Sequence, residues 1–289
     1  MKKWLQLFLS FWLVFGFTAC QAQIKPSVSL DMLPDYSNVP YIAIDDNIPS
    51  FSEDEITTTS FETYYSLDSL GRATGAFASL GKDLLPTKER GDIHQVKPSG
   101  WQSIRYDQVE GGSLYNRCHL IAWSLSGEDA NPNNLITGTR YMNTKGMLPF
   151  ENMVRDYIKE TGNHVMYRVI PIYDDSNLVA KGVEMEAMSV EDHGEGISFH
   201  VYCFNVQPGI QIDYANGDSW EDGSNPTGFD RSKEQTFVLN TKTKKIHSPD
   251  CSSVKSMNTK NKKFVRDSLE HLEQEGYSVH AQCIKENEK

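Results

Sequence analysis

Five polar side chains between Tyr115 and Tyr157 have the types and spacing of a hydrolytic site: Arg117, His119, Asn143, Glu151 and Arg155. Arg117 and His119 stand two apart in a predicted strand, so both project from one face. Glu151 and Arg155 stand four apart on a predicted helix, where they stack and can pair. Asn143 follows a second predicted strand. A strand, a loop, a second strand and a helix would bring all five to one pocket. Such a set suits hydrolysis of an anionic ester. The imidazole takes a proton from water near neutral pH, the amide oxygen enters the shell of a hydrated Mg²⁺, and the arginines oppose charge building on a phosphate.

The elements that must position these groups are legible upstream and downstream. After Pro149, residues Phe150, Met153, Val154, Tyr157 and Ile158 fall on one helical face, and Gly162 suits a stop, so the spacing predicts a helix from Pro149 to Thr161. Leu114 to Ile121 and Leu135 to Thr139 read as short strands, and three longer runs over 164–173, 182–191 and 196–206 as a sheet broken by turns. The expected class is α+β with a central antiparallel sheet.

On these residues the chain resembles the DNA/RNA non-specific endonucleases of the ββα-metal (His-Me finger) group, in the branch that includes bacterial DNA-entry nucleases. The family's Asp-Arg-Gly-His motif aligns with Asn116-Arg117-Cys118-His119, its metal-ligand asparagine with Asn143, and its helix Glu and Arg with Glu151 and Arg155. Asn134, within Asn131-Pro132-Asn133-Asn134, matches a second asparagine that supports the site. The resemblance runs more loosely over about 41–214. It implies a ββα-metal motif with His119 as general base, Asn143 as Mg²⁺ ligand with Mn²⁺ as a substitute, and Arg117 and Arg155 as stabilisers of transition-state charge. Glu151 would anchor water or reach the metal through one. The implied substrate is DNA, with RNA as a second, cut to a 5′-phosphate and a 3′-hydroxyl.

Asn116 and Cys118 depart from the motif, standing where it has Asp and Gly. They support a competing reading, a non-catalytic surface protein that binds DNA or another polyanion on a degenerate nuclease scaffold; His119, Asn143 and Glu151 oppose it. A Cys118 thiol nucleophile using His119 as base is rejected, because adjacent strand residues point to opposite faces. Cys118 and Cys203 either pair or stay buried thiols.

Composition separates a second unit. The chain of 289 residues carries a net charge of −11, which argues against bulk electrostatic coating of nucleic acid. Between Arg231 and Arg266, however, ten Lys and Arg face two acidic residues, a local net of +8. Here His247-x-x-x-Cys251 and His280-x-x-Cys283 flank an expected amphipathic helix through Phe264, Val265, Leu269 and Leu272. Two such pairs fit a tetrahedral Zn²⁺ site, and the segment resembles the small zinc-binding module of the DNA phosphotriester-repair regulator; a Cys251–Cys283 disulfide is the alternative.

At the front, Lys2 and Lys3 precede an apolar run, shorter than the roughly 20 residues of a membrane span, that ends in Phe17-Thr18-Ala19-Cys20. This predicts a signal peptide over 1–19 with a lipobox at Cys20, hence an exported protein whose membrane contact is a lipid anchor. A tether over 20–38, a nuclease domain over 39–215, a linker over 216–232 rich in turn formers, and the small basic module over 233–289 complete the expected order. Nothing in the sequence points to a protein partner.

Overall fold

The computed structural model describes residues 24–221, 235–249, 251, 253–254 and 257–280. The predicted signal peptide, Cys20 and Cys283 lie outside the described residues, as does most of the expected linker. Fourteen strands are described: β1 (Tyr41–Ala43), β2 (Phe61–Tyr64), β3 (Ala76–Leu80), β4 (Tyr115–His119), β5 (Leu135–Thr139), β6 (Val165–Ile172), β7 (Gly182–Ser189), β8 (Ser198–Phe204), β9 (Ile210–Ile212), β10 (Ser219–Glu221), β11 (Gln235–Asn240), β12 (Lys245–His247), β13 (Lys262–Asp267) and β14 (Ser278–Val279). Three α-helices accompany them: α1 (Trp123–Ser126), α2 (Leu148–Thr161) and α3 (Leu269–Gln274).

The central sheet is antiparallel, in the order β1-β8-β7-β6-β3-β2, as the class read from the sequence requires. Alternation along β6, β7 and β8 sends Tyr167, Val169, Val183, Met185, Ala187, Val201 and Cys203 into the main core. Helix α2 seals that core with Phe150, Val154 and Ile158, while Met153, assigned to the stripe on spacing alone, is 48% exposed. Gly162 ends the helix in the left-handed region, φ 75°, with its amide donating to the Ile158 carbonyl. The β4–β5 hairpin stands apart from this sheet and packs on the same core, pairing Tyr115 with Thr139 through His119 with Leu135.

The opposite face of the sheet carries Glu184, Glu186 and His200 beside apolar residues and is covered. The segments on either side of the edge strand β1 supply the cover, the first of them expected to be a tether: Val28 and Ile44 are buried with Ile172, Tyr202 and Phe204. The Ser27 amide donates to Glu184 at 2.9 Å and the Ser50 amide to Glu186 at 2.6 Å. The main domain also runs past residue 215, because β10 pairs with β9.

The C-terminal module has its own sheet, β13-β11-β12-β14, and its own small core. The expected helix through Phe264 and Val265 is corrected. Those residues belong to β13, which pairs with β11 along its full length, and only α3 is helical. Ser268 caps α3, its hydroxyl accepting from the His271 amide; in the strand before it Val265 packs on the module's core while its neighbour Phe264 is 62% exposed. The module touches the main domain through Lys245 Nζ and Asp218 Oδ2 at 3.0 Å.

Candidate active site

Strand β4, the π-helical turn Met142–Met147 and α2 converge on a cavity of about 650 Å³ that contains Asn116, Arg117, His119, Asn143, Glu151 and Arg155 in its lining. Every residue proposed for catalysis or Mg²⁺ binding is thus brought to one place. Wide π turns recur at functional sites, and this one puts Asn143 at the cavity just before α2 begins.

His119 is held by one bond that decides its tautomer. Its Nε2 lies 2.9 Å from the Asp129 carbonyl, which can only accept, so Nε2 carries the proton. Nδ1 is then the basic atom, and the Arg90 guanidinium sits 3.3 Å from it as a donor. Burial, assisted by the charge of Arg90, pushes the imidazole pKa down to about 4, so the ring is neutral and can accept a proton at neutral pH. The Asp129 carboxylate accepts from the Gly91 amide at 2.9 Å, so one residue orients both the ring and the loop carrying Arg90. Asn134 fixes the chain behind the ring. Its Oδ1 accepts from the Ile121 amide at 2.9 Å and its Nδ2 donates to the Ile121 carbonyl at 3.0 Å.

Two arginines differ from expectation. Arg117 donates through Nε to the Val96 carbonyl at 2.5 Å and through an Nη to the His94 carbonyl at 2.8 Å, and its guanidinium stacks on Trp101 at 4.0 Å. It binds a loop that walls the cavity. Arg155 does not pair with Glu151 by a hydrogen bond. It bonds Asp156 at 2.7 Å and Asn152 at 2.6 Å, because its flexible stem reaches the more exposed neighbours on the same helix.

That leaves Glu151 buried, with no hydrogen bond to its carboxylate among the described residues. Burial raises its pKa to about 8, against the pull of Arg90 and Arg155. A buried carboxylate is costly without a charge partner, and Asn143 beside it in the lining likewise spends no side-chain hydrogen bond among the described residues. One neutral oxygen and one carboxylate at an open cavity are a donor set that a hydrated, hard divalent cation fits. The cavity also holds unspent donors: Asn116 Nδ2 and Arg140 Nε are buried without a hydrogen-bond partner. Arg90 and Asp129 were missed from sequence because they lie in polar segments without periodicity, and Arg140 because it stands just past the end of β5. Gly91, beside Arg90, lies where a Cβ would meet the Asp129 carboxylate.

Cys118 points away from the cavity and is a free, buried thiol, as is Cys203. It fits because Gly138 of β5 leaves the space that a Cβ would take from its sulfur. The replacement of the motif's glycine is therefore absorbed by the core, and the site face of β4 is unaltered.

The family model for DNA/RNA non-specific endonuclease matches residues 53–191, the span that supplies all of these groups. Residues 53–191 form a domain of that family. Among solved structures, the endonuclease fold of this chain is similar to NucA from Streptococcus agalactiae with magnesium bound, at 25% identity and a TM-score of 0.56 over 64% of this chain and 91% of NucA. The metal-free form of NucA gives 26% identity and a TM-score of 0.58 over 67% of this chain and 92% of NucA. A deoxyribonuclease of Streptococcus dysgalactiae subsp. equisimilis is 29% identical over 203 residues, 55% of this chain; this chain spans about three-fifths (61%) of that relative's length.

Beyond the endonuclease domain, His247, Cys251 and His280 bring their ligand atoms within 4.8 Å of one another. His247 Nδ1 is 3.7 Å from Cys251 Sγ, and the two imidazoles stack at 4.6 Å. Cys251, however, is disulfide-bonded. A disulfide sulfur has no thiolate to offer, so the expected zinc set is not available in this state.

Proposed function

We propose that the protein is an exported endonuclease that hydrolyses phosphodiester bonds of DNA, and secondarily RNA, with a divalent metal, Mg²⁺ first and Mn²⁺ as a substitute. The observation that carries this reading is His119 in the wall of a cavity that also holds Asn143, Glu151 and the unspent donors Arg140 Nε and Asn116 Nδ2, with Nε2 committed to the Asp129 carbonyl so that Nδ1 is the basic atom. His119 takes the proton of the attacking water. Arg90 and Arg140 stand ready to meet charge on the phosphate, and Arg155 adds a third cation at the rim. Arg117 keeps the cavity wall in place. Asn143, with Glu151 acting through water, would hold the metal, which supplies polarisation of the phosphate and relief of charge on the leaving oxygen.

The reading predicts that the purified protein nicks and degrades plasmid DNA with Mg²⁺ and that EDTA abolishes cutting. Activity that survives EDTA would overturn the metal assignment. DNA binding without cutting in Mg²⁺ or Mn²⁺ would favour the polyanion-binding scaffold instead.

Export rests on the leader over 1–19, and lipid anchoring on Cys20. Cys20→Ser should move the protein from the membrane fraction to the medium or soluble envelope. In an oxidising compartment the module would be closed by the disulfide of Cys251, with Cys283 as its partner, and Zn²⁺ held by His247, Cys251, His280 and Cys283 would be confined to the reduced chain. Denatured protein beginning near residue 24 has four cysteines. Two should react with a thiol reagent before reduction and all four after it. Four reactive thiols and bound zinc in unreduced protein would reverse the assignment.

A further inference from the structure

Trp123 stands where the first helical turn after β4 begins, and its indole lines two neighbouring cavities. The first is the catalytic cavity. The second, about 290 Å³, lies between the 83–89 segment and residues 126–129. The two differ in charge. The catalytic side carries Arg90, Arg117, Arg140 and Arg155 against one carboxylate, Glu151. The far side carries Asp83, Glu89 and Asp129 against Lys88, over an apolar floor of Leu84, Leu85 and Pro86. Phosphate is favoured on the first side and repelled from the second.

The indole between them is half-buried and makes no hydrogen bond, ring contact or cation contact among the described residues. The other tryptophan of the catalytic cavity, Trp101, has a face already covered by Arg117. Trp123 therefore offers the open aromatic surface of this site. A flat, neutral ring that carries amino donors matches the second cavity: it stacks on indole, rests on apolar carbons, and presents its donors to carboxylates. In a nucleic acid such a ring is tied through one sugar to a phosphate, which is what two cavities sharing one wall would receive.

We propose that Trp123 walls a nucleobase subsite in which the base beside the scissile phosphate stacks, an inference that rests on the nuclease reading of the adjoining cavity. The subsite selects for an unpaired or readily unstacked base; stacking is open to every base, since each has a π face, and the carboxylates favour the bases that carry an amino group.

The test is equilibrium binding in EDTA, where no cleavage intervenes. Two fluorescent short single strands with equal phosphates are compared, one with normal bases and one fully abasic. The wild-type protein should bind the normal strand about 5- to 150-fold more tightly, the range expected for one stacked base. Trp123→Ala should lose that preference while its weaker affinity for the abasic strand is unchanged, and Trp123→Phe should keep most of it. Equal affinity of the wild-type protein for both strands, no binding of either, or a preference that survives Trp123→Ala would overturn the subsite. The wild-type comparison stands even if the alanine variant misfolds. Base-dependent binding by a protein that fails to cut in Mg²⁺ would defeat the nuclease reading and leave the subsite standing.

Discussion

Two buried clusters in this molecule contain the same residue types and do opposite things. At the cavity, His119 stands with Glu151 and Arg90; behind the central sheet, His200 stands with Glu184, Glu186 and Arg168. His200 faces an acceptor on each side, the Glu184 carboxylate 3.0 Å from Nε2 and the Ile48 carbonyl 3.1 Å from Nδ1, so the ring carries both protons. Burial alone would lower its pKa, but the bond to Glu184 and the charges of Glu186 and Glu184 outweigh it and raise the pKa. His119 faces an acceptor on one side and a donor on the other, so it is neutral. Arg168 and Glu186 are likewise spent on each other at 2.6 Å, with Glu55 and Ser50 filling the remaining positions. A set of His, Glu and Arg does not define a site. Unspent hydrogen-bonding capacity next to open space does, and by that measure only the first cluster is built for chemistry.

The comparison breaks most sharply at the two histidines. His119→Ala should reduce cleavage by about 10²- to 10⁴-fold through loss of the base, with an unchanged denaturation midpoint. Arg90→Ala comes next, at roughly 10²- to 10³-fold, the cost of removing one donor to developing charge. Because the Arg90 charge also holds the His119 pKa down, the acid limb of the rate profile should move to higher pH in that variant. A rate or midpoint that behaves the other way round, with His119→Ala unfolding the protein at full specific activity, would merge the two clusters into one structural class.

Glu184→Gln tests the second cluster. It removes the carboxylate partner of a buried imidazolium, a loss worth about 3–5 kcal/mol. Urea titration should show the fall in stability, while activity per folded molecule stays near the parental value. If stability is unmoved, the network behind the sheet is not what clamps residues 24–55.

The sequence made the first cluster legible and hid the second, for physical reasons. Arg117 and His119 sit on a predicted strand and Glu151 on a helix with a clear period, so element geometry brings them together, while Asn143, just past the second strand, is identified by the family resemblance. Glu184, Glu186 and His200 lie inside runs read as ordinary strands, and what makes them a network is the segment 24–55, whose prolines and scattered polar residues carry no period. The same limit explains the C-terminal error: apolar residues at 264, 265, 269 and 272 fit one helix, and only pairing with β11 makes the first two a strand. Side-chain direction at the ends of elements is likewise a tertiary outcome. Arg155 turned to Asp156 and Asn152, and Arg117 to two carbonyls, although both reached the cavity as spacing required.

The smallest expected effect is a loss of stability at rising pH that the second cluster should show and the first should not. A histidine whose pKa is raised in the folded state contributes stability that is fully present below its ordinary value of 6.5 and is lost as pH rises through the higher folded value. Burial opposes the rise, so the effect is modest beside the loss of Glu184 itself. The stability difference between the wild-type protein and Glu184→Gln, measured by urea titration, should therefore be largest below pH 6.5 and shrink at alkaline pH. Amide exchange near Ser27 and Ser50 should quicken over the same range, because their amides bond the carboxylates that the imidazolium helps to hold. His119 runs the other way: neutral when folded, with a pKa pushed down to about 4, it costs stability only as pH falls below 6.5 and the unfolded ring gains its proton first. A constant difference between the two proteins across the alkaline range would show that His200 is not an imidazolium. The contrast between the two rings would then rest on position alone.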